Sequence, residues 1–172
     1  MIKLPKTKYC HLDIKNDWLA ISIDNDKKKN ALSATLIDEI IKVFDIAGKS
    51  KQIRGILIKG KNGIFCSGAD LEELHQITYT KENREELTTR MSIRIGNLLQ
   101  TISNVPQITA SVIDGPCIAG GFGIACATDI MITMDSSIFK LSETQLGLTP
   151  AQIAPYILNR VNYSQARLLM LL

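Results

Sequence analysis

The apolar positions change period along the N-terminal part of the chain. Residues 8–14 and 18–24 form two short runs rich in apolar residues on either side of Asn16-Asp17, which predicts a β-hairpin. A polar loop follows at 25–30. Leu36, Ile37, Ile40, Ile41, Phe44 and Ala47 then recur three or four residues apart. That spacing predicts a helix entered at Ser33, with Gly48 as its C-terminal cap. The segment 53–59, IRGILIK, is short and rich in β-branched residues, the composition of a buried parallel strand. Asn62-Gly63 predicts a turn.

Further along, a short helix is expected from Ala69 to His75 and a longer amphipathic one over 82–103, ended by Pro106. Residues 107–113 read as a buried strand, Asp114-Gly115-Pro116 as a loop, 119–127 as a helix and 129–134 as a strand. Two more helices are expected at 153–161 and 164–171. Alternation of this kind predicts an α/β fold. A length of 172 residues, without repeat, low-complexity stretch or linker, predicts one domain over 1–172.

Charge and composition narrow the function. A net charge of +3 is too weak for a nucleic-acid binder, despite local lysine clusters such as Lys27-Lys28-Lys29. No apolar run approaches the roughly 20 residues that span a membrane, and Lys3, Lys6 and Lys8 have no apolar stretch behind them to make a secretory signal. Cys10, Cys66, Cys117 and Cys126 contain no CxxC pair, so reduced thiols in a cytoplasmic protein are the simplest reading. His11 and His75 are too isolated to suggest a metal site, and no metal is expected.

Candidate chemistry concentrates in three segments. The first runs from Asp114 to Asp129, and its helix has no charged residue and opens on glycines 120, 121 and 123. A helix without charge is buried on most sides, and its first turn offers unpaired N–H groups at the positive end of a dipole. Two readings stand side by side: the glycines permit tight helix–sheet packing, or they let an oxyanion approach the backbone. A third reading, a dinucleotide fingerprint over Gly121-Phe-Gly123-Ile-Ala-Cys126, fits less well. Its helix is short, its third glycine is Cys126, and the Asp114-Gly-Pro loop separates strand from motif.

The second segment, Gly63 to Leu71, again leads from a buried strand through a glycine loop into a helix start. It would place the Ala69 N–H in the first helical turn. By itself this is an ordinary strand–loop–helix connection with Asp70 near the dipole. Two such amides in one domain could converge on one oxygen as an oxyanion hole. The third element is Glu143, just after an expected strand in a mostly uncharged stretch. A carboxylate near apolar surface has a raised pKa and can exchange protons near neutrality; a lone surface glutamate is the ordinary alternative.

Taken together the segments resemble the crotonase (enoyl-CoA hydratase/isomerase) superfamily. The matching stretches are Lys-Asn-Ala-Leu at 29–32, Phe-Cys-Ser-Gly-Ala-Asp-Leu at 65–71, the glycine-rich 114–123, Ala-Thr-Asp-Ile at 127–130 and 139–150. The resemblance covers about residues 10–170. Ser142–Tyr156 looks most like bacterial enoyl-CoA or methylglutaconyl-CoA hydratases. The resemblance implies a ββα spiral core that lacks the family's C-terminal helical segment. It implies an acyl-CoA thioester as substrate, with coenzyme A part of that substrate and no separate cofactor. Ala69 and Gly120 would donate the oxyanion-hole amides. Glu143 would be the acid/base. Lys27, Lys28, Ala31, Ser67, Asp70 and Leu71, with Gly120, Gly121 and Gly123, would belong to the substrate site, the lysines facing phosphates; a solvated loop accounts for the lysines equally well. Family members form trimers or dimers of trimers, so a homo-oligomer is expected if the C-terminal segment is supplied.

Two departures qualify the expectation. Typical hydratases carry two catalytic glutamates; Glu143 matches the second, and the first falls on Gly123. One carboxylate suffices for Δ3-Δ2 isomerisation, while the most similar hydratases tolerate a non-acidic residue here. Hydration is therefore the first expectation, with isomerisation or a non-catalytic acyl-CoA-binding role as alternatives. Secondly, the sequence ends at Leu172 inside an expected helix, where family members continue. A fragment, a shortened form or a degenerate paralogue all fit.

Overall fold

The computed structural model describes residues 2–80 and 82–171. The expected hairpin is β1 (Cys10–Lys15) and β2 (Trp18–Ile23). Asn16 and Asp17 both take positive φ, 50° and 64°, the pattern of a type I′ turn, which matches the twist of the paired strands. Helix α1 (Ala34–Gly48) starts where Ser33 Oγ accepts a hydrogen bond from the Leu36 N–H at 3.3 Å. Gly48 is its last helical residue and not a left-handed cap: the cap is Lys49, with right-handed angles. A β-carbon at Gly48 would stand 3.1 Å from Val105 Cγ2, so close packing accounts for that glycine.

Strands β3 (Gly55–Gly60), β4 (Ile108–Ile113) and β6 (Ile130–Thr133) join the hairpin in one five-stranded sheet of order β1-β2-β3-β4-β6. All pairings after the hairpin are parallel. One face of this sheet buries Leu19, Ile21, Ile23, Ile56, Ile58 and Ile113 in the core with α1 and with Leu98, Leu99 and Ile102 of α3 (Arg84–Asn104). Every residue of α4 (Gly120–Ala127) is buried, as its lack of charge requires.

Several boundaries move. The helix expected at 69–75 is α2 (Leu71–Tyr79), with Asp70 as its cap. The loop expected at Asp114-Gly-Pro closes sooner, because Pro116–Ile118 is a strand, β5. It pairs in parallel with β7 (Ile138–Lys140). The last two helices are α5 (Ala154–Leu158) and α6 (Tyr163–Leu171); Leu172 lies outside the described residues. No helix among the described residues is long and apolar enough to cross a membrane.

The small sheet matters most for the site. Isolated parallel bridges join Cys66 to Cys117 and Leu32 to Ala69. They extend the β5–β7 pair into a ladder in which Cys66, Cys117 and Phe139 share one row. Its segments run in the same direction and end on the same side, where parallel α/β arrangements place ligands.

Candidate active site

Ala69 and Gly120 each lie three residues beyond that shared row, and Ser142 lies three beyond it on β7. Neighbouring strands are about 4.8 Å apart, the order of spacing at which two amides can serve one oxygen. A positive-φ residue bends the chain immediately before each amide: Gly68 (φ 93°) before Ala69 and Ala119 (φ 49°, ψ −118°) before Gly120. For alanine this conformation is strained by about 1–3 kcal/mol, and such strain persists only where the surroundings impose it. Here the Ala119 N–H donates to Lys140 O at 2.8 Å and the Ile118 N–H to Cys66 O at 2.9 Å, so the ladder holds the bend.

The bends leave amides free. Among the described residues, neither the Ala69 N–H nor the Gly120 N–H has an acceptor. Helix α4 also lacks a side-chain cap, so its positive dipole end stays uncompensated. Ala69 departs from expectation in one respect: its amide belongs to the strand-like bridge with Leu32, one residue before the helix cap, and not to the first turn of α2. The site thus combines one helix start with one strand end.

Glu143 follows β7 and opens a 3-10 turn at Thr144–Leu146. Burial pushes its carboxyl pKa up, opposed in part by the backbone at Glu143 and Ser142. Its Oε2 is buried without a hydrogen-bond partner among the described residues. Ala69, Gly120 and Glu143 line one cavity of about 1620 Å³, together with Ser67 and Leu71. The volume exceeds the roughly 300–1,000 Å³ of ordinary small-molecule pockets. Much of the opposite wall comes from α3, including Met91, Ser92 and Ile95, and from the 149–153 loop. Sequence reasoning did not single out Ser92 or Gln152, and no local signal marks them.

The other candidate residues lie behind this wall or away from it. Gly121 packs on Cys66, where a β-carbon would come within 2.7 Å of Cys66 Cβ, and Gly120 packs on Leu32, 2.7 Å from its Cδ1. Gly123 faces Ile153 Cγ1 and Leu99 Cδ1 at 3.0 and 3.3 Å. The packing reading of the glycines therefore holds for all three, and Gly120 alone of them also lines the cavity. Gly121 and Gly123 offer no open groove to a dinucleotide.

Lys28 does not stand free in a solvated loop. Its ammonium lies 2.6 Å from Asp70 Oδ2 and 2.7 Å from Glu72 Oε2. Asp70 is only 2% exposed, and its other oxygen accepts the Glu72 N–H at 3.0 Å as the cap of α2. Asn30 fixes the lysine loop, donating to the carbonyls of Lys61 and Ile64 and accepting the Asn25 N–H. Ala31 is buried, donating its N–H to Lys28 O. Ser67 Oγ donates to the same carbonyl at 3.3 Å. Lys27 is exposed, with no ion pair among the described residues. No cluster of three metal-ligating side chains occurs among the described residues.

The chain is 34% identical over 152 residues to Enoyl-CoA hydratase AFT6-1 of Alternaria alternata, covering 88% of this chain and 48% of that protein. It is 34% identical over 142 residues to the mitochondrial methylglutaconyl-CoA hydratase of Mus musculus, covering 81% and 43%. A solved enoyl-CoA hydratase/isomerase from Marinobacter aquaeolei superposes with a TM-score of 0.88 at 29% identity, over 95% of this chain and 62% of that one. Pseudomonas aeruginosa AtuE gives 0.89 at 29% identity, over 95% and 62%. The chain thus spans about half the length of the curated relatives it matches. The sequence profile described as Enoyl-CoA hydratase/isomerase matches residues 13–172, and the chain belongs to that family, the crotonase superfamily.

Proposed function

We propose that this chain forms an enoyl-CoA hydratase-type site, in which the Ala69 and Gly120 amides hold a thioester oxygen and Glu143 moves protons. One observation carries the reading: among the described residues, two amides without acceptors, at neighbouring strand ends, share a cavity with a partly buried carboxylate whose Oε2 has no hydrogen-bond partner. As water adds across an α,β double bond, or as an α-proton leaves, negative charge grows on the thioester oxygen. Preorganised donors stabilise that charge more than the neutral carbonyl, which is what lowers a barrier. The raised pKa of Glu143 suits proton exchange close to neutrality. Lys27 is an exposed cation available to coenzyme A phosphates. Lys28 contributes through Asp70, while Ala31, Ser67 and Leu71 shape the approach. A homo-oligomer, trimeric or hexameric if the family's C-terminal segment is supplied, belongs to the same reading.

Isomerisation of a 3-enoyl-CoA is the second reading, favoured by Gly123: its side-chain position is filled by Ile153 and Leu99, so no second carboxylate enters there. Incubation with crotonyl-CoA and with 3-hexenoyl-CoA separates the two. Loss of the conjugated enoyl absorbance is the expected result and means hydration; its gain from the 3-enoyl substrate means isomerisation. Equal inactivity of the wild type and Glu143→Gln, with coenzyme A binding retained, makes the chain a non-catalytic binder and removes the enzyme reading.

A further inference from the structure

Water addition has to manage a water molecule as well as an enolate, and Gly123 supplies no side chain for that task. The structure shows what stands nearby instead. Ile153 packs on Gly123 of α4, and its neighbour Gln152 packs on α3. A β-carbon at Gly96 would stand 2.5 Å from Gln152 Oε1 and 3.2 Å from its Cδ, so a glycine at 96 makes the seat. Gln152 Nε2 donates to Ser92 Oγ at 3.0 Å. Ser92 and Gln152 line the same cavity as Ala69, Gly120 and Glu143. Among the described residues, Gln152 Oε1 receives no hydrogen bond and the Ser92 hydroxyl hydrogen has no acceptor. One donor and one acceptor are therefore held together, unspent, on the cavity wall.

We propose that Gln152, braced by Ser92, is a positioning residue that orients the attacking water. The inference rests on the acyl-CoA reading above. In hydration the water oxygen bonds to Cβ, the π pair shifts toward Cα and the thioester oxygen, one water proton passes to the Glu143 carboxylate, and Glu143 returns a proton to Cα. Atoms and charge balance with a single carboxylate. The water's second O–H and second lone pair still need partners. Gln152 Oε1 accepts that O–H and the Ser92 hydroxyl donates to that lone pair, which completes the four hydrogen-bonding positions of the water. Orientation of this kind is worth as much as a proton transfer, because misplacement of a reactant by about 1 Å costs about a hundredfold. Isomerisation and α-proton exchange consume no water and need neither group.

The test is Gln152→Met, which keeps volume and removes the acceptor. Three rates are measured: crotonyl-CoA hydration, 3-hexenoyl-CoA isomerisation, and solvent-deuterium exchange at Cα of butyryl-CoA. The expected result is a drop of about a hundredfold in hydration kcat with KM within about twofold, the other two rates staying within about twofold. Gln152→Glu, which keeps an acceptor at the same place, is expected to retain at least about a tenth of the hydration rate. Unchanged hydration in Gln152→Met overturns the inference, as does a parallel fall of all three rates, which is the mark of a structural role. A wild type that exchanges Cα protons without hydrating overturns this inference alone. A wild type that does neither overturns the acyl-CoA reading with it.

Discussion

Gly68 and Ala119 meet where the two donor strands bend: a β-carbon on Gly68 would lie 2.9 Å from Ala119 Cβ. Each residue has positive φ and each immediately precedes an amide without an acceptor among the described residues, Ala69 or Gly120. The bends therefore set the separation of the two donors by direct contact. Gly68→Ala adds both left-handed strain and overlap, for an expected loss of about 2–4 kcal/mol in denaturant unfolding. Ala119→Gly removes the opposing methyl and the strain of Ala119 itself. It is expected to offset Gly68→Ala by about 1 kcal/mol in the double mutant, a coupling readable from a double-mutant cycle. Strict additivity would mean that the two bends are independent.

Glu143→Gln is expected to lower turnover of any enoyl-CoA substrate by at least about a hundredfold, the ordinary worth of a positioned acid/base. Stability is expected to hold, since a neutral amide replaces a carboxyl whose charged form burial disfavours. Steady-state kinetics beside a thermal melt separates the two effects.

The same group makes a pH prediction of definite sign. Burial raises the Glu143 pKa above its ordinary 4.5, so between 4.5 and the raised value the folded state binds more protons than the unfolded state. Stability from this group is accordingly present at low pH and is lost as pH rises through that window, then stays level. Glu143→Gln flattens that slope in urea titrations taken across pH. Proton abstraction by the carboxylate rises over the same window, opposite in sense to stability.

Asp70 joins the lysine loop to the start of α2 through Lys28 and the Glu72 amide. Asp70→Ala is expected to cost about 1–2 kcal/mol from the lost cap. Lys28→Met lowers the melting temperature by stranding a buried carboxylate, and the double mutant loses less than the two single mutants combined. If Lys28 faced phosphate instead, its removal would change coenzyme A affinity and leave the melt unmoved.

All four cysteines are buried. Burial pushes the Cys10 and Cys66 thiols to about 12 and Cys126 to about 11, and it raises Cys117 further still. The thiolate is the reactive form. At pH 8 an aromatic disulfide reagent is expected to label none of them in the folded chain and all four in denaturant. Rapid labelling of the native protein would contradict the packing of the small sheet.

The sequence determined the local elements and the chemical vocabulary. The three-and-four spacing from Leu36 to Ala47 predicted α1, the β-branched run at 53–59 predicted the buried strand found at 55–60, and the chargeless 119–127 predicted the buried helix found at 120–127, because periodicity and burial act over neighbouring residues. The stretches 29–32, 65–71, 114–123, 127–130 and 139–150 carried the family resemblance. Tertiary structure decided what those residues do together. Strand β5 was hidden in a stretch of three residues held extended by partners remote in sequence, β7 on one side and Cys66 on the other. The Leu32–Ala69 bridge, the Lys28–Asp70 pair and the Gln152 seat on Gly96 all join positions remote in sequence. A single chain read in order contains no register, and register is what puts two amides and a carboxylate on one cavity.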